Sequence, residues 1–377
     1  MTTIKKVDFL LLGPAYPYRG GIADTQHALA KSLKNEGYQV ELWTFTQLYP
    51  SIIFPGKTQF SNETIPEGYA IHKNIHAYNP FQWKSLAKKI NQLQPKAVIF
   101  RYWTPFLAPC WISVAKQLDP RIEKVALVDN WRAHEPKPWD SYLTRKFLDC
   151  INIFTTLSDY VAMEIKKDTQ KAVWGKMHPI NTGLPPKLDL KKAKNKLKLK
   201  LDKDYLLFFG LIRPYKGLDL LIKAMIDHPN KELLVVGEAY EDLKKYESII
   251  KLNRLSDRVK LINRYVLEEE IANYFSVVKA VILPYKTATQ SGVVATAYHY
   301  ETPLLVTNHP GLKEPIIKDK TGVICEISEK AISQGIEKIL EVENNDTYRQ
   351  NLKNKKKQYS WDTYAKEWAA FIHNESE

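Results

Sequence analysis

Short apolar runs alternate with amphipathic helical patterns along most of the chain. Runs that are apolar on both faces are typical of parallel β-strands covered by helices on either side. In the first half they predict strands at 8–13, 40–45, 97–103, 124–130 and 152–158. In the second half they predict strands at 205–210, 232–237, 258–262, 280–285, 303–307 and 322–326. The fold class is therefore α/β, with two doubly wound, Rossmann-like units in tandem.

The length of 377 residues also favours two domains, since one domain usually takes ~150 residues. The Gly- and Pro-rich segment 181–187 punctuates the end of the first unit. We expect an N-terminal domain over 1–185 and a C-terminal domain over 186–359. The closing segment, 360–377, has the pattern of an amphipathic helix.

The charge balance adds a possible partner. The chain carries a formal net charge of +13, and the segment 187–203 contains eight lysines but only two aspartates. A second basic cluster comprises Lys353 and 355–357. The lysines form either a solvated helix face or a surface for anionic membrane lipids. Nucleic acid is the weaker use of the charge, because no nucleic-acid-binding motif is present.

Three further patterns exclude whole classes of protein. Three cysteines in so long a chain make no disulfide framework and have no metal-ligand spacing. No apolar run approaches the ~18 residues of a membrane span, and the first run reads as a strand rather than a signal peptide. The Asp-Lys-Asp at 202–204 precedes a strand in the lysine-rich segment, where Asp is a turn former. We expect a cytoplasmic protein that binds no metal.

Candidate chemistry lies where predicted strands end, because ligands bind at the carboxyl ends of strands in this architecture. Gly20-Gly21 opens the first helix, and Ser291-Gly292 opens another. Free N–H groups at a helix start favour an anion. Arg213 and Lys216 follow the strand at 205–210, and two cations beside a helix start suit a diphosphate.

The order of these motifs carries a resemblance. The segment GLIRPYKGLDLLIKA is followed by VVGE, ILPY, a small-residue helix ending in Thr-Pro, and PGLKE. The chain resembles the retaining family 4 glycosyltransferases of the GT-B fold over nearly its whole length. The resemblance implies two domains facing across a cleft and a final helix that crosses back to the N-terminal domain. The C-terminal domain would hold a nucleotide-diphospho-sugar, and the N-terminal domain the acceptor.

The resemblance also assigns residues. Arg213 and Lys216 would grip the diphosphate and stabilise its departure, and the loop of Gly20 and Gly21 would close over it. Glu238 follows a strand at a cleft-facing end. Arg264, Tyr265 and Val266 lie where the family holds the base.

One departure from the family concerns its pair of glutamates eight positions apart. Alignment on Pro303 places Ala288 and Thr296 there, and neither is acidic. Their contacts to the ribose and the sugar would then pass to the side chains of Gln290 and Ser291 and to the N–H groups of Gly292 and Val293.

A fourth segment, 124–140, offers the catalytic contact to the reacting sugar. The family often places a His after this strand. Here the strand ends at Asp129, and His134 comes five residues later, so the two remain alternatives. Several aromatic residues of the first half either stack on acceptor sugars or belong to the core: Tyr102, Trp103, Phe106, Trp131 and Trp139.

The sequence thus predicts a hexosyltransferase-like enzyme that moves a sugar, with retention, from a UDP-, GDP- or dTDP-sugar to a glycan or lipid-linked hydroxyl. No cofactor is expected, and association with the inner membrane face is a possible addition. Two alternatives are a nucleotide-sugar epimerase of the same fold and a non-catalytic nucleotide-sugar-binding protein. The missing acidic pair favours the non-catalytic alternative.

Overall fold

The chain divides into two compact units. The computed structural model describes residues 6–49, 59–61, 64–132, 137–181 and 183–376. One unit comprises Met1–Met177 with Trp361–Glu377, and the other comprises His178–Ser360. Ile180 belongs to the second unit because it pairs with Ser360 and donates its N–H to the Tyr359 carbonyl at 2.6 Å.

The first unit is built on a parallel sheet of seven strands within the described residues, in the order β3-β2-β1-β4-β5-β6-β7. The strands are β1 (Phe9–Leu12), β2 (Val40–Gln47), β3 (Ala70–His76), β4 (Ala97–Tyr102), β5 (Glu123–Val128), β6 (Ile153–Thr156) and β7 (Ala172–Gly175). The helices are α1 (Gly21–Asn35), α2 (Pro80–Leu93), α3 (Ala108–Ala115), α4 (Asp140–Cys150) and α5 (Asp159–Lys166). This is the doubly wound order of a Rossmann fold.

The second unit repeats the plan with six described parallel strands, in the order β10-β9-β8-β11-β12-β13. The strands are β8 (Asp204–Phe209), β9 (Lys231–Val236), β10 (Val259–Ile262), β11 (Val278–Leu283), β12 (Leu304–Thr307) and β13 (Gly322–Cys325). The helices are α6 (Leu190–Lys196), α7 (Leu218–Ala224), α8 (Lys244–Leu252), α9 (Glu268–Phe275), α10 (Gly292–His299), α11 (Pro310–Asp319), α12 (Glu329–Leu340) and α13 (Val342–Lys355).

The last helix, α14 (Trp361–Ser376), returns to the first unit, as the resemblance implies. The Ser32 hydroxyl of α1 donates to the Asp362 carboxylate at 2.7 Å. Trp368 is fully buried against Phe9 of β1, with ring centroids 5.3 Å apart. The apolar face of α14 therefore completes the core on one side of the first sheet.

All eleven predicted strands are present, and the prediction of two Rossmann-like units is confirmed. The sequence analysis missed β3 and β7, which form the two edges of the first sheet. β3 reads AIHKNIH and is largely exposed, so it has no apolar run. No helix in the described part of the chain is long and apolar enough to span a bilayer.

Candidate functional site

Strands β8 and β9 of the second unit end in two glycines whose backbones lie in contact. The Gly210 N–H donates to the Val236 carbonyl at 2.9 Å. At Gly237, where φ is +155°, a Cβ atom would lie 1.9 Å from the Gly210 carbonyl oxygen. Only glycine fits there, and this close approach leaves room above the strand ends for side chains from the next turn.

That turn, 213–217, brings Lys216 back over the strand ends. Gly217 has a φ of +65°, and a Cβ on it would lie 2.0 Å from the Pro284 carbonyl oxygen. The Lys286 N–H donates to the Tyr215 carbonyl at 2.7 Å, which ties the turn to the end of β11. The packing leaves Lys216 only 9% exposed.

The two predicted cations of this turn each lie over an aromatic ring. The Lys216 ammonium is 5.0 Å from the centroid of the Tyr285 ring, and the Arg213 guanidinium is 4.7 Å from that of Tyr240. Among the described residues, neither cation has a carboxylate within 4.0 Å. Burial lowers the pKa of Lys216; Tyr215 opposes the shift, and the charge of Arg213 adds to it.

The start of helix α10 lies beside the Lys216 ammonium. A methyl group on Gly210 would be 3.3 Å from Lys216 Nζ and 3.5 Å from Val293 Cγ2. Ser291 makes no side-chain cap to this helix, so the N–H groups of the first turn, including those of Gly292 and Val293, have no partner within the helix. An ammonium close to a helix start favours the binding of an anion, and we call this place, with the neighbouring Arg213, the anion seat.

The loop before α10 contributes no acid. Ala288 is buried at 2% exposure, and the Thr296 hydroxyl donates to the Gly292 carbonyl of its own helix at 3.0 Å. Gln290 and Ser291 are half-buried at the entry to the helix. Of these residues, Val293 lies near Lys216 across Gly210, and Gln290, Ser291 and Gly292 precede it in the chain.

The residues predicted to hold the base lie after β10 but are engaged differently. Arg264 donates to both oxygens of Glu270, at 2.6 and 2.7 Å, and to the Tyr274 hydroxyl at 3.0 Å. The hydrogen bonds to Glu270 raise the pKa of Arg264. Tyr265 and Val266 follow it half-buried. The carboxylate of Glu270 therefore already occupies the guanidinium of Arg264.

Glu238 follows β9 next to the Arg213 turn. The Glu238 carbonyl accepts the Ile212 N–H at 2.9 Å, and only 5% of the residue is exposed. Its position at the strand end agrees with the sequence analysis. Among the described residues no group of His, Cys, Asp or Glu side chains is arranged to hold a metal ion.

In the first unit, Asp129 at the end of β5 forms a buried ion pair with Arg101 of β4. Arg101 Nε and Nη2 donate to the two Asp129 oxygens at 2.6 Å each, and Nη2 also donates to Thr25 Oγ1 at 2.9 Å. Arg101 is fully buried. The Asp129 carboxylate thus holds an internal charge, while His134 lies outside the described residues.

The predicted N-terminal loop belongs to this first unit as well. Gly21 begins α1, and Gly20 precedes it without a side-chain cap. A Cβ atom on either glycine would meet no described atom within 4 Å, so the helix start is open.

The aromatic residues of the first half separate into two groups. Tyr102 and Trp131, at 0% and 2% exposure, belong to the core, which is one of the two alternatives that the sequence left open. Phe106 and Trp139 are 40% and 57% exposed. Trp103 is half-buried and donates its ring N–H to the Tyr49 hydroxyl at 3.1 Å.

The lysine-rich segment 187–203 is less of a charged surface than its sequence suggests. Lys194 is 5% exposed, and its ammonium donates to the carbonyls of Leu201 and Lys203 at 2.9 and 2.7 Å. Lys187 donates to the Tyr300 carbonyl at 3.3 Å, and burial lowers its pKa to about 8. These two lysines serve the fold of the second unit.

Sequence reasoning missed three side chains of the second unit. Tyr240 and Tyr285 lie under the two cations, and a Cβ on Gly292 would be 3.9 Å from His178 Nε2. Only the positions of the tyrosines, just after strands β9 and β11, could have pointed to them. His178 comes from a segment far away in the sequence that no local pattern marks.

Comparison with known proteins finds a family model that matches part of the chain. The family model "Glycosyl transferases group 1" matches residues 189–359. An uncharacterized glycosyltransferase of Methanocaldococcus jannaschii is 30% identical over 166 residues, which are 43% of this chain and 45% of that protein. The match therefore spans less than half of the relative.

A second relative and a solved structure extend the comparison. The GDP-mannose:glycolipid 4-beta-D-mannosyltransferase of Xanthomonas campestris pv. campestris is 34% identical over 103 residues, 26% of this chain and 29% of that protein. The structure of Anabaena HepE in complex with UDP has 13% identity and a TM-score of 0.75, and the match covers 98% of this chain and 100% of that one. The structural likeness establishes the fold, which is the pair of Rossmann-like domains found in GT-B proteins.

The Arg101–Asp129 pair generates a prediction about stability. Asp129→Ala leaves the guanidinium buried without its carboxylate, and should lower the free energy of unfolding of the first unit by about 3–5 kcal/mol. Asp119→Ala is the matched control, since its partner Arg121 has a side chain 78% exposed; we expect a much smaller loss, because solvent screens an exposed pair. Urea unfolding of both variants tests this. Equal midpoints would mean that the Arg101 charge is solvated.

Proposed function

We propose that the chain, whose residues 189–359 form a domain of the glycosyl transferases group 1 family, moves a sugar from a nucleotide-diphospho-sugar to an acceptor hydroxyl. The observation that carries this proposal is the seat formed by Lys216, Arg213 and the start of α10. A diphosphate is the leaving group of such a donor, and two unneutralised cations beside free N–H groups match its charge.

The chemical task of the site is to stabilise that leaving group. Breaking the sugar–phosphate bond develops negative charge on the diphosphate oxygens and positive charge on the sugar. Lys216 and Arg213 would offset the first in a partly dehydrated environment, where electrostatic stabilisation is strongest. We propose that they do so without a metal ion, and that the reaction retains the anomeric configuration as in the family that the sequence resembles.

The donor's nucleotide and the acceptor follow as narrower proposals. The relative that uses GDP-mannose and the structural neighbour that binds UDP favour GDP and UDP over dTDP as the first nucleotides to test. The acceptor would be a glycan or a lipid-linked sugar held by the first unit. The exposed rings of Phe106 and Trp139 are its candidate stacking surfaces there.

Nucleotide binding is the first testable prediction. One of UDP, GDP, dTDP or their sugars should raise the melting temperature of the protein. At a ligand concentration a hundredfold above Kd, binding should increase the free energy of unfolding by about 2.7 kcal/mol. Arg213→Ala and Lys216→Ala should reduce this rise and lower turnover roughly 10²-fold, because each removes charge from the leaving diphosphate.

Lys223→Ala is the matched control for these variants, since it removes an exposed cation of α7 that pairs with Glu329. If Arg213→Ala and Lys216→Ala both bind the nucleotide as tightly as the wild type does, the donor must bind at another site. Binding without transfer to any acceptor would favour the non-catalytic alternative, and epimerised donor would favour the epimerase.

The environment of Lys216 predicts a dependence on pH. Only the charged ammonium attracts a diphosphate, and burial lowers the pKa of Lys216 below the usual value of about 10.4. Nucleotide affinity should therefore fall as pH rises, and the fall should begin below the range in which an ordinary lysine loses its proton. Lys216→Arg should not show this fall, because arginine remains charged.

Isothermal titration of both proteins between pH 7 and 10 separates the two cases. Ionisation of the nucleotide itself is common to both proteins, so their difference reports on the lysine alone. If the affinities of the wild type and Lys216→Arg change with pH in the same way, Lys216 is not the group whose titration weakens binding.

Membrane association is a proposal that rests on the remaining surface lysines. Lys187 and Lys194 are engaged in the fold, and in the second cluster Lys355 lies near Asp319 and Lys356 pairs with Glu301. Lys353 and Lys357 of that cluster are exposed and carry more of the argument. We expect sedimentation with vesicles of anionic lipid that weakens from low to physiological salt, since surface charges are screened over about 10 Å at 0.1 M. Equal partition onto neutral vesicles would contradict it.

A further inference from the structure

We propose that Tyr240 and Tyr285 are positioning residues: each holds one cation of the anion seat in place without neutralising it. The inference rests on the proposed function, because it assigns the seat to a diphosphate. It adds two residues to the site that act through Arg213 and Lys216.

The geometry of the two pairs is alike. The Arg213 guanidinium carbon is 4.7 Å from the Tyr240 ring centroid, and Lys216 Nζ is 5.0 Å from that of Tyr285. Both distances lie within the ~6 Å at which a cation is attracted to the face of an aromatic ring. Each cation of the seat therefore has an aromatic partner.

The backbone fixes each ring relative to its cation. The Tyr240 N–H donates to the carbonyl of Ile212, the residue before Arg213, at 3.0 Å. The N–H of Lys286, next to Tyr285, donates to the carbonyl of Tyr215, the residue before Lys216, at 2.7 Å. These two hydrogen bonds join the chain just before each cation to the segment that carries its ring, which keeps the two side chains near one another.

Other cations near these strand ends are held differently. Arg264 is held by Glu270 at 2.6 Å, and Lys286 by Asp219 at 2.8 Å. Among the described residues, Arg213 and Lys216 have no such carboxylate. The contrast within one unit argues that the rings do not merely fill space beside the turn.

A carboxylate partner and an aromatic partner differ in how many of the cation's hydrogen-bond donors they leave available to a ligand. A carboxylate fixes a cation by forming hydrogen bonds with its N–H donors, and an incoming phosphate must then compete with it. A ring face attracts the cation through its quadrupole and leaves the N–H donors and the net charge available. Tyrosine thus gives orientation without loss of charge.

The test begins with Tyr240, which is half-buried and should tolerate substitution. Tyr240→Leu removes the ring, and should weaken the affinity for UDP or GDP, whichever stabilises the wild type, roughly tenfold. Tyr240→Phe keeps the ring and should restore most of the affinity. Tyr142→Leu is the control, since it removes a ring from Lys146 in the first unit at a comparable 5.8 Å.

A double-mutant cycle distinguishes positioning from general packing. If Tyr240 acts through Arg213, then Tyr240→Leu should have no further effect on affinity in the Arg213→Ala background. The same cycle applies to Tyr285→Leu with Lys216→Ala. Tyr285 is buried, so Tyr285→Phe and the melting temperature of each variant accompany it.

The outcomes separate this inference from the proposed function. Wild-type binding that is weakened by Arg213→Ala but not by Tyr240→Leu overturns the inference and leaves the function in place. Additive effects of Tyr240→Leu and Arg213→Ala overturn it too, because they assign Tyr240 a packing role. A wild type that binds no nucleotide overturns both proposals.

Discussion

The candidate site of the second unit depends on a buried ammonium, that of Lys216, which has no carboxylate beside it among the described residues. Holding such a charge away from water costs several kcal/mol unless the surroundings offset it. The contact between Gly237 and Gly210 makes the space, the Gly217 turn directs Lys216 into it, and the Tyr285 ring covers it. An anion bound there would offset the remaining cost, so fold and ligand depend on the same few contacts.

The sequence predicted the central strands well because burial on both faces leaves a continuous apolar run. The sequence analysis did not predict β3 and β7 for the opposite reason. Each lies at an edge of the sheet, where one side of the strand is free and fewer of its side chains are buried. β3 contains two histidines and a lysine, while β7 has four residues, of which one, Val173, is buried. Such strands form because a neighbouring strand offers its backbone, which no local pattern reveals.

The candidate site was predictable to the extent that it lies in local motifs. Arg213 and Lys216 are three residues apart after a strand, and Ser291-Gly292 opens a helix, so both appear in sequence. Tyr240 and Tyr285 reach the cations from other strands, and only the parallel order of β9, β8 and β11 brings them there. The lysine-rich segment shows that a local motif can also mislead. It reads as a charged surface, but the long aliphatic stem of Lys194 allows this residue to be buried with its ammonium bonded to carbonyls.

The return of α14 to the first unit makes that unit discontinuous in the chain. Phe9 and the inner side of α1 obtain part of their cover from residues 361–376, whereas the second unit is continuous over 178–360. During synthesis on the ribosome, the later unit can therefore complete its core while the earlier one still exposes an apolar face. The order of folding would then reverse the order of translation, and a nascent chain halted before Trp361 would be the species most exposed to aggregation.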